Sequence, residues 1–304
     1  MARIAYVEKE FQDSSLAIIH AANQIIRHYQ EQGFVLTLRQ LYYQFVARGF
    51  LENKQENYNR LGRIVSDARL AGYIDWDAIE DRTRNLRSLT HWTSPIQIIR
   101  AAANSFRHDL WADQEYRVEV WIEKEALIGV IERVCNELDL PYFACKGYTS
   151  QSEMHSAAMR LQTYRDELYQ EPVILHFGDH DPSGIDMTRD IQERMELFIG
   201  EVEVRRIALN MDQVERYDPP PNPAKITDSR AAGYIARYGR ESWELDALDP
   251  PTIRALIEGE IEDLRDQEKW NASLEKQESE REDLTSTADR WNEVVKFLHK
   301  KRKK

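Results

Sequence analysis

Apolar residues in the first quarter of the chain recur at spacings of three and four, the period of helices that bury one stripe. Residues 13 to 32 (DSSLAIIHAANQIIRHYQEQ) join a polar start to such a stripe and run into Gly33, which predicts a capped helix with a glycine stop. In LTLRQLYYQFV (36 to 46) the stripe is Leu38, Leu41, Tyr42, Phe45 and Val46; Thr37 and Gln40 form a capping box, and Gly49 closes the helix. A third helix is predicted over 57 to 71, with Tyr58, Leu61, Val65 and Ala68 on one side and Arg60, Arg63 and Asp67 opposite. The aromatic stretch GYIDWDAIEDRTR after it reads as a hairpin.

Beyond residue 110 the rhythm changes. RVEVWI (117 to 122), PYFAC (141 to 145), VILHF (173 to 177) and VEVRRIAL (202 to 209) read as strands. Helical stretches separate them, over 126 to 138, from the Ser150/Glu153 capping box, and from Pro182. Strand and helix in alternation predict a parallel sheet, whose chemistry collects at the carboxyl ends of its strands. A proline-rich joint (218 to 225) follows, and residues 252 to 298 are highly charged and helical in period, with a break expected near Asn271. The fold class expected is thus α/β plus α. Residues 1–110 form a winged-helix (CAP-like) domain with an Arg60/Arg63 face turned to DNA, 111–250 the parallel-sheet domain, and 251–304 a charged helical tail ending in HKKRKK.

Composition narrows the function. A net charge of −12 argues against coating nucleic acid by bulk electrostatics, yet residues 34 to 110 hold 11 Lys and Arg against 8 Asp and Glu, so the amino-terminal part is locally basic. No run of 18 apolar residues and no signal-like start are present, which sets the expectation of a cytoplasmic, nucleoid-associated protein with no membrane partner. Cys135 and Cys145 lie in apolar segments without metal-ligand spacing and read as reduced core residues. No GxxxxGK[ST] loop is present, so no ATPase engine is evident.

Two features carry chemistry. Tyr43 lies about 100° round the helix from Tyr42 and shares with Arg39, one turn earlier, the face away from the stripe. That pair is either a surface tyrosine lying on a neighbour or a phenol held beside a guanidinium to attack an anion. Glu123 follows one strand, and Asp179 and Asp181 follow another in GDHDPSG; its hexapeptide DHDPSG is either a plain turn or part of a carboxylate set suited to Mg²⁺. His176 is expected to pack within its strand and His180 to be solvated at the surface.

WIEKEA (121 to 126), KGY (146 to 148) and GDHDPSG (178 to 184), in this order and spacing, resemble the Toprim domain of topoisomerases, primases and related nucleases. Preceded by LRQLYY, the set resembles more narrowly the A subunit of topoisomerase VI and the related meiotic double-strand-break protein; WELDAL (243 to 248) is similar to a late segment of those proteins. The resemblance spans residues 34 to 250, and the compact length is similar to the minimal, stand-alone Mini-A members.

It implies Tyr43 as nucleophile with Arg39 beside it, Asp179 and Asp181 as the metal pair, and Glu123 as metal ligand or proton carrier. Lys146, with Arg60 and Arg63, is implied to touch DNA. The implied activity is Mg²⁺-dependent double-strand cleavage, with Mn²⁺ able to substitute, leaving a 5′-phosphotyrosyl link. A homodimer is implied as the active form, with an ATPase B-type partner supplied in trans. Two alternatives stand beside it: a Toprim nuclease that uses water, with Tyr43 only a DNA contact, and a non-catalytic DNA-binding protein.

Overall fold

The computed structural model describes residues 4–80 and 91–301. Its amino-terminal part packs α1 (Asp13–Glu31), α2 (Leu38–Ala47) and α3 (Gln55–Leu70) around one core built from Ile19, Ile26, Leu41, Phe45, Leu61 and Val65. The expected capping box starts α2: the Gln40 N–H donates to Thr37 Oγ1 (3.3 Å) and the Thr37 N–H to Gln40 Oε1 (2.8 Å). Where a hairpin was expected after Gly72, residues 73–80 form a 3-10 turn, Trp76–Ala78, and a single parallel bridge from Leu36 to Ile79. Asp75 caps that turn by accepting from the Asp77 N–H (3.0 Å), so its polar side chain closes a turn in place of a strand. The remainder of the expected hairpin, 81–84, lies outside the described residues.

After α4 (Pro95–Ser105) the chain alternates β1 (Tyr116–Ile122), α5 (Ile128–Glu137), β2 (Tyr142–Ala144), α6 (Gln151–Leu168), β3 (Glu171–Phe177), α7 (Pro182–Ile199) and β4 (Glu203–Ala208). The four strands make one parallel sheet in the order β2-β1-β3-β4. Side-chain alternation splits the core as the pleat requires. Val118, Val120, Ile122, Val173, Leu175 and Phe177 face one layer, which α5 and α10 (Pro250–Leu264) help to build; Trp121 and Ile174 face the layer of α6 and α7. Cys135 and Cys145 are buried and unpaired, as expected.

Between β4 and α10 come α8 (Met211–Tyr217), β5 (Asn222–Pro223), α9 (Ala231–Tyr238) and β6 (Glu241–Ser242), the two short strands pairing antiparallel. The charged tail is α11 (Gln267–Asp289) and α12 (Trp291–Lys301). Its helical break falls at Arg265 and Asp266, and Asn271 sits inside α11, because the Asp266 carboxylate caps the new helix from the Glu268 and Lys269 N–H groups (3.0 and 3.1 Å). The α4 helix lies along α11, tied by Arg100 to Asp289 (2.8 Å), so the end of the segment expected as 1–110 rests on the carboxy-terminal helix. Among the described residues, no helix is long and apolar enough to cross a membrane.

Tyr42 shows what one of the paired tyrosines does. Its ring meets Tyr58 edge-on at 5.4 Å, and its hydroxyl accepts from the Lys54 N–H (2.8 Å) and donates to the Lys54 carbonyl (3.0 Å), pinning the start of α3 to α2. Tyr42→Phe strands that N–H and is expected to cost about 1–2 kcal/mol in urea unfolding; an unchanged midpoint would show that packing alone holds this corner.

Candidate active site

The carboxyl edge of the sheet is assembled by backbone first. Glu123 and Gly178 leave β1 and β3 as neighbours, since Ile122 pairs with Phe177. The Asp179 N–H donates to Glu123 Oε2 (2.8 Å). Gly184 lies so close to this turn that a Cβ there would sit 2.2 Å from the Asp179 carbonyl oxygen, so only glycine lets α7 begin here. Asp181 caps α7: its Oδ1 accepts from the Gly184 N–H (2.7 Å) and the Ser183 hydroxyl (2.9 Å). Arg206, reaching over from β4, donates to the carbonyls of Asp179 (2.7 Å), Gly184 (2.8 Å) and Gly178 (3.1 Å).

His180 is buried rather than solvated. Its backbone exchanges two hydrogen bonds with Trp243 (2.8 and 2.9 Å), its ring Nδ1 meets the Tyr234 hydroxyl at 2.7 Å, and Tyr238 and Trp243 close the other sides. Burial first, then the Arg206 charge, holds its imidazole down at about 4, so it is neutral at physiological pH. Its work is to fasten the aspartate turn to the segment after β6. His176 packs within its strand as expected, with Nδ1 2.8 Å from the Thr188 hydroxyl.

The segment after β6 carries Glu244 and Asp246 to the same edge, where Lys124 meets them. Its ammonium lies 2.9 Å from Asp179 Oδ2, 3.0 Å from Glu244 Oε2 and 3.1 Å from Asp246 Oδ1. Burial works against the charge on Lys124, but Asp179, Asp246 and Glu244 outweigh it and hold the amine well above its ordinary value. Arg39, coming from α2, reaches the same two carboxylates: Nη2 to Glu244 Oε2 at 2.6 Å and Nε to Asp246 Oδ2 at 3.3 Å. Two cations and two carboxylates thus close a ring that joins the helical domain to the sheet edge.

Tyr43 sits against this ring. It lines a cavity of about 320 Å³ with Arg39, Asn53, Lys54, Asn222 and Glu244. The face expected to be free is covered: Tyr43 is 4% exposed, because the 3-10 turn Leu245–Ala247 packs on α2. Burial and then the Glu244 charge push its phenol up to about 12, against the pull of Arg39 and the Asn222 amide.

The structure therefore brings Arg39 and Tyr43 together, and sets Glu123 beside Asp179. Arg60 and Arg63 are exposed on α3, outside this cluster, and Lys146 is exposed and paired with Glu125 at 2.9 Å. Lys124, Asn222, Glu244, Asp246 and Arg206 were not singled out from the sequence. Three of them sat in plain view, Lys124 inside WIEKEA and Glu244 and Asp246 inside WELDAL, but spacing does not say that the two segments meet.

The donor chemistry suits a hard dication in part. Glu123 Oε1 and Asp181 Oδ2 accept no hydrogen bond among the described residues, while both Asp179 oxygens are engaged, Oδ1 by the Leu245 N–H (2.8 Å) and Oδ2 by Lys124. Among the described residues no three His, Cys, Asp or Glu groups stand in ligating geometry, so Asp179 would join Glu123 and Asp181 around a metal only after these carboxylates shift toward one another. Burial, and next the Asp179 charge, push the Glu123 carboxyl up to about 7, and burial raises Asp179 as well. A scan against protein-family models gives no match, and a search of curated proteins gives none either.

The raised Glu123 carboxyl has a measurable sign. Its proton is bound more tightly in the folded chain, so its contribution to stability is full below about pH 4.5 and is lost as pH rises to about 7. The stability difference between wild type and Glu123→Gln should fall by on the order of 3 kcal/mol across that window. A flat difference in urea unfolding at a series of pH values would show that Glu123 titrates like a free glutamate.

Proposed function

We propose that this chain cleaves double-stranded DNA by tyrosyl transesterification, as its resemblance to topoisomerase VI A subunits implies. The observation that carries the reading is the shared cavity wall of Tyr43 and Arg39, joined through Glu244 and Lys124 to Asp179 at the sheet edge. The three-helix core of residues 13–70 supports reading the amino-terminal part as a winged-helix DNA grip, and the four-stranded parallel sheet supports a Toprim domain. Arg60, Arg63 and Lys146 are the proposed phosphate contacts, and a homodimer, with an ATPase B-type partner in trans, the proposed assembly.

In the reaction the Tyr43 oxygen attacks a backbone phosphorus, the bond from phosphorus to the 3′ oxygen breaks, and a 5′-phosphotyrosine forms. The phenol gives up its proton and the 3′ oxygen gains one. With the phenol at about 12, ionising it beforehand at neutral pH would cost about 7 kcal/mol, so the proton has to leave as the phosphate arrives. Arg39 favours the phenolate and holds the phosphate that Tyr43 attacks. Glu123, near neutrality, is tuned to deliver a proton to the 3′ oxygen and to take it back on resealing. Mg²⁺, or Mn²⁺ in its place, would be held by Asp179 and Asp181 and would neutralise phosphate charge while Glu123 carries the proton.

A second reading, hydrolysis by water at the carboxylates with Tyr43 as a DNA contact, draws on one observation: Tyr43 is buried and harder to ionise than free tyrosine, whereas Glu123 is poised near pH 7. Incubation with supercoiled plasmid and Mg²⁺, stopped by denaturant, separates the two. Protein covalently bound to 5′ ends that disappears in Tyr43→Phe supports the transesterase; free ends produced equally by wild type and Tyr43→Phe establish the hydrolase. For the grip, Arg60→Ala with Arg63→Ala should weaken duplex binding at all sequences and lower the slope of log K against log salt by about 2. An unchanged slope would place the DNA elsewhere on the molecule.

A further inference from the structure

The ring around Lys124 holds more than the two domains together. One oxygen, Glu244 Oε2, receives both Arg39 Nη2 (2.6 Å) and Lys124 Nζ (3.0 Å), while Asp246 offers Oδ2 to Arg39 Nε (3.3 Å) and Oδ1 to Lys124 (3.1 Å). Asp246 is buried, its side chain 2% exposed, and it meets Arg39 and Lys124 as ion pairs, its Oδ1 making no hydrogen bond among the described residues. The Asn222 amide donates to Glu244 Oε1 (3.4 Å) and is itself held by Asn53, whose amide donates to Asn222 Oδ1 (2.7 Å). Glu244 is thus fixed from the cavity side as well as from the ring.

We propose that Glu244 and Asp246 are positioning residues for the cleavage reaction, aiming Arg39 at the phosphate beside Tyr43 and Lys124 at Asp179 through one shared pair of carboxylates. This rests on the cleavage reading above. A guanidinium on a flexible stem points one way only when two of its nitrogens are anchored, and the ring anchors Nε and Nη2 on different carboxylates. The same two carboxylates hold Lys124, so a displacement on the tyrosine side is felt at Asp179. Geometry on both sides of the cleavage site is then set together, which suits a reaction whose nucleophile and leaving group must lie in line.

The test measures single-turnover covalent attachment to a duplex, and duplex affinity separately, for Glu244→Gln, Glu244→Asp and Asp246→Asn. The expected result is an attachment rate tenfold or more lower for Glu244→Gln, affinity within twofold of wild type, and partial recovery in Glu244→Asp, which keeps the charge on a shorter stem. Rates unchanged in Glu244→Gln, or rate and affinity falling together with the folded fraction, would overturn the positioning role. If wild type forms no covalent complex, the cleavage reading itself fails, and the ring is judged by urea unfolding of Arg39→Met, Lys124→Met and their double variant. Midpoint shifts that are non-additive in the wild-type background and nearer additive with Glu244→Gln support the shared carboxylate; additive shifts in both backgrounds overturn it.

Discussion

The ammonium of Lys124, surrounded by Asp179, Glu244 and Asp246, is the interaction on which the rest of this structure depends. Burying a charge is costly unless partners replace the lost water, and removing one partner of a buried ion pair leaves the other uncompensated. Here each buried charge has partners from a different part of the chain. Lys124 comes from the end of β1, Asp179 from the end of β3, Glu244 and Asp246 from the segment after β6, and Arg39 from α2. The sheet edge and the tyrosine helix are in consequence mutually dependent.

The aspartate turn has the rigidity that such an edge requires. Arg206 satisfies three of its carbonyls, Asp181 begins α7, and Gly184 permits a backbone approach that no side chain would allow. His180, boxed by Tyr234, Tyr238 and Trp243, carries that rigidity across to Glu244 and Asp246. A histidine next to carboxylates invites a catalytic reading, but this one is neutral and enclosed, and its contribution is architectural.

The adjacent tyrosines divide their labour through tertiary contacts. Tyr42 spends its hydroxyl on the backbone of Lys54, whereas Tyr43 meets Arg39, Asn222 and Glu244 at a cavity. Helical geometry placed Tyr43 on an open face, whereas both tyrosines are buried in one core cluster and the turn Leu245–Ala247 packs over the helix that carries them. Enclosure raises the phenol and strengthens its electrostatic coupling to Arg39 and Glu244, since fields act more strongly where water is excluded.

What the amino-acid sequence determined by itself is local. The capping box of Thr37 and Gln40, the four strands, the cap at Ser150 and the carboxylates at two strand ends depend on residues a few positions apart, whose periodicity is legible without the rest of the chain. The break in the charged tail was misplaced by a few residues because one aspartate cap, at Asp266, outweighs the general composition around Asn271. Only the tertiary structure decided the ring. Arg39 and Glu244 are 205 positions apart and Lys124 and Glu244 120, and no spacing rule relates residues at such separations. They meet because the parallel sheet brings its strand ends to one edge and the segment after β6 folds back onto α2, and charge pairing at that junction follows from the packing that creates it.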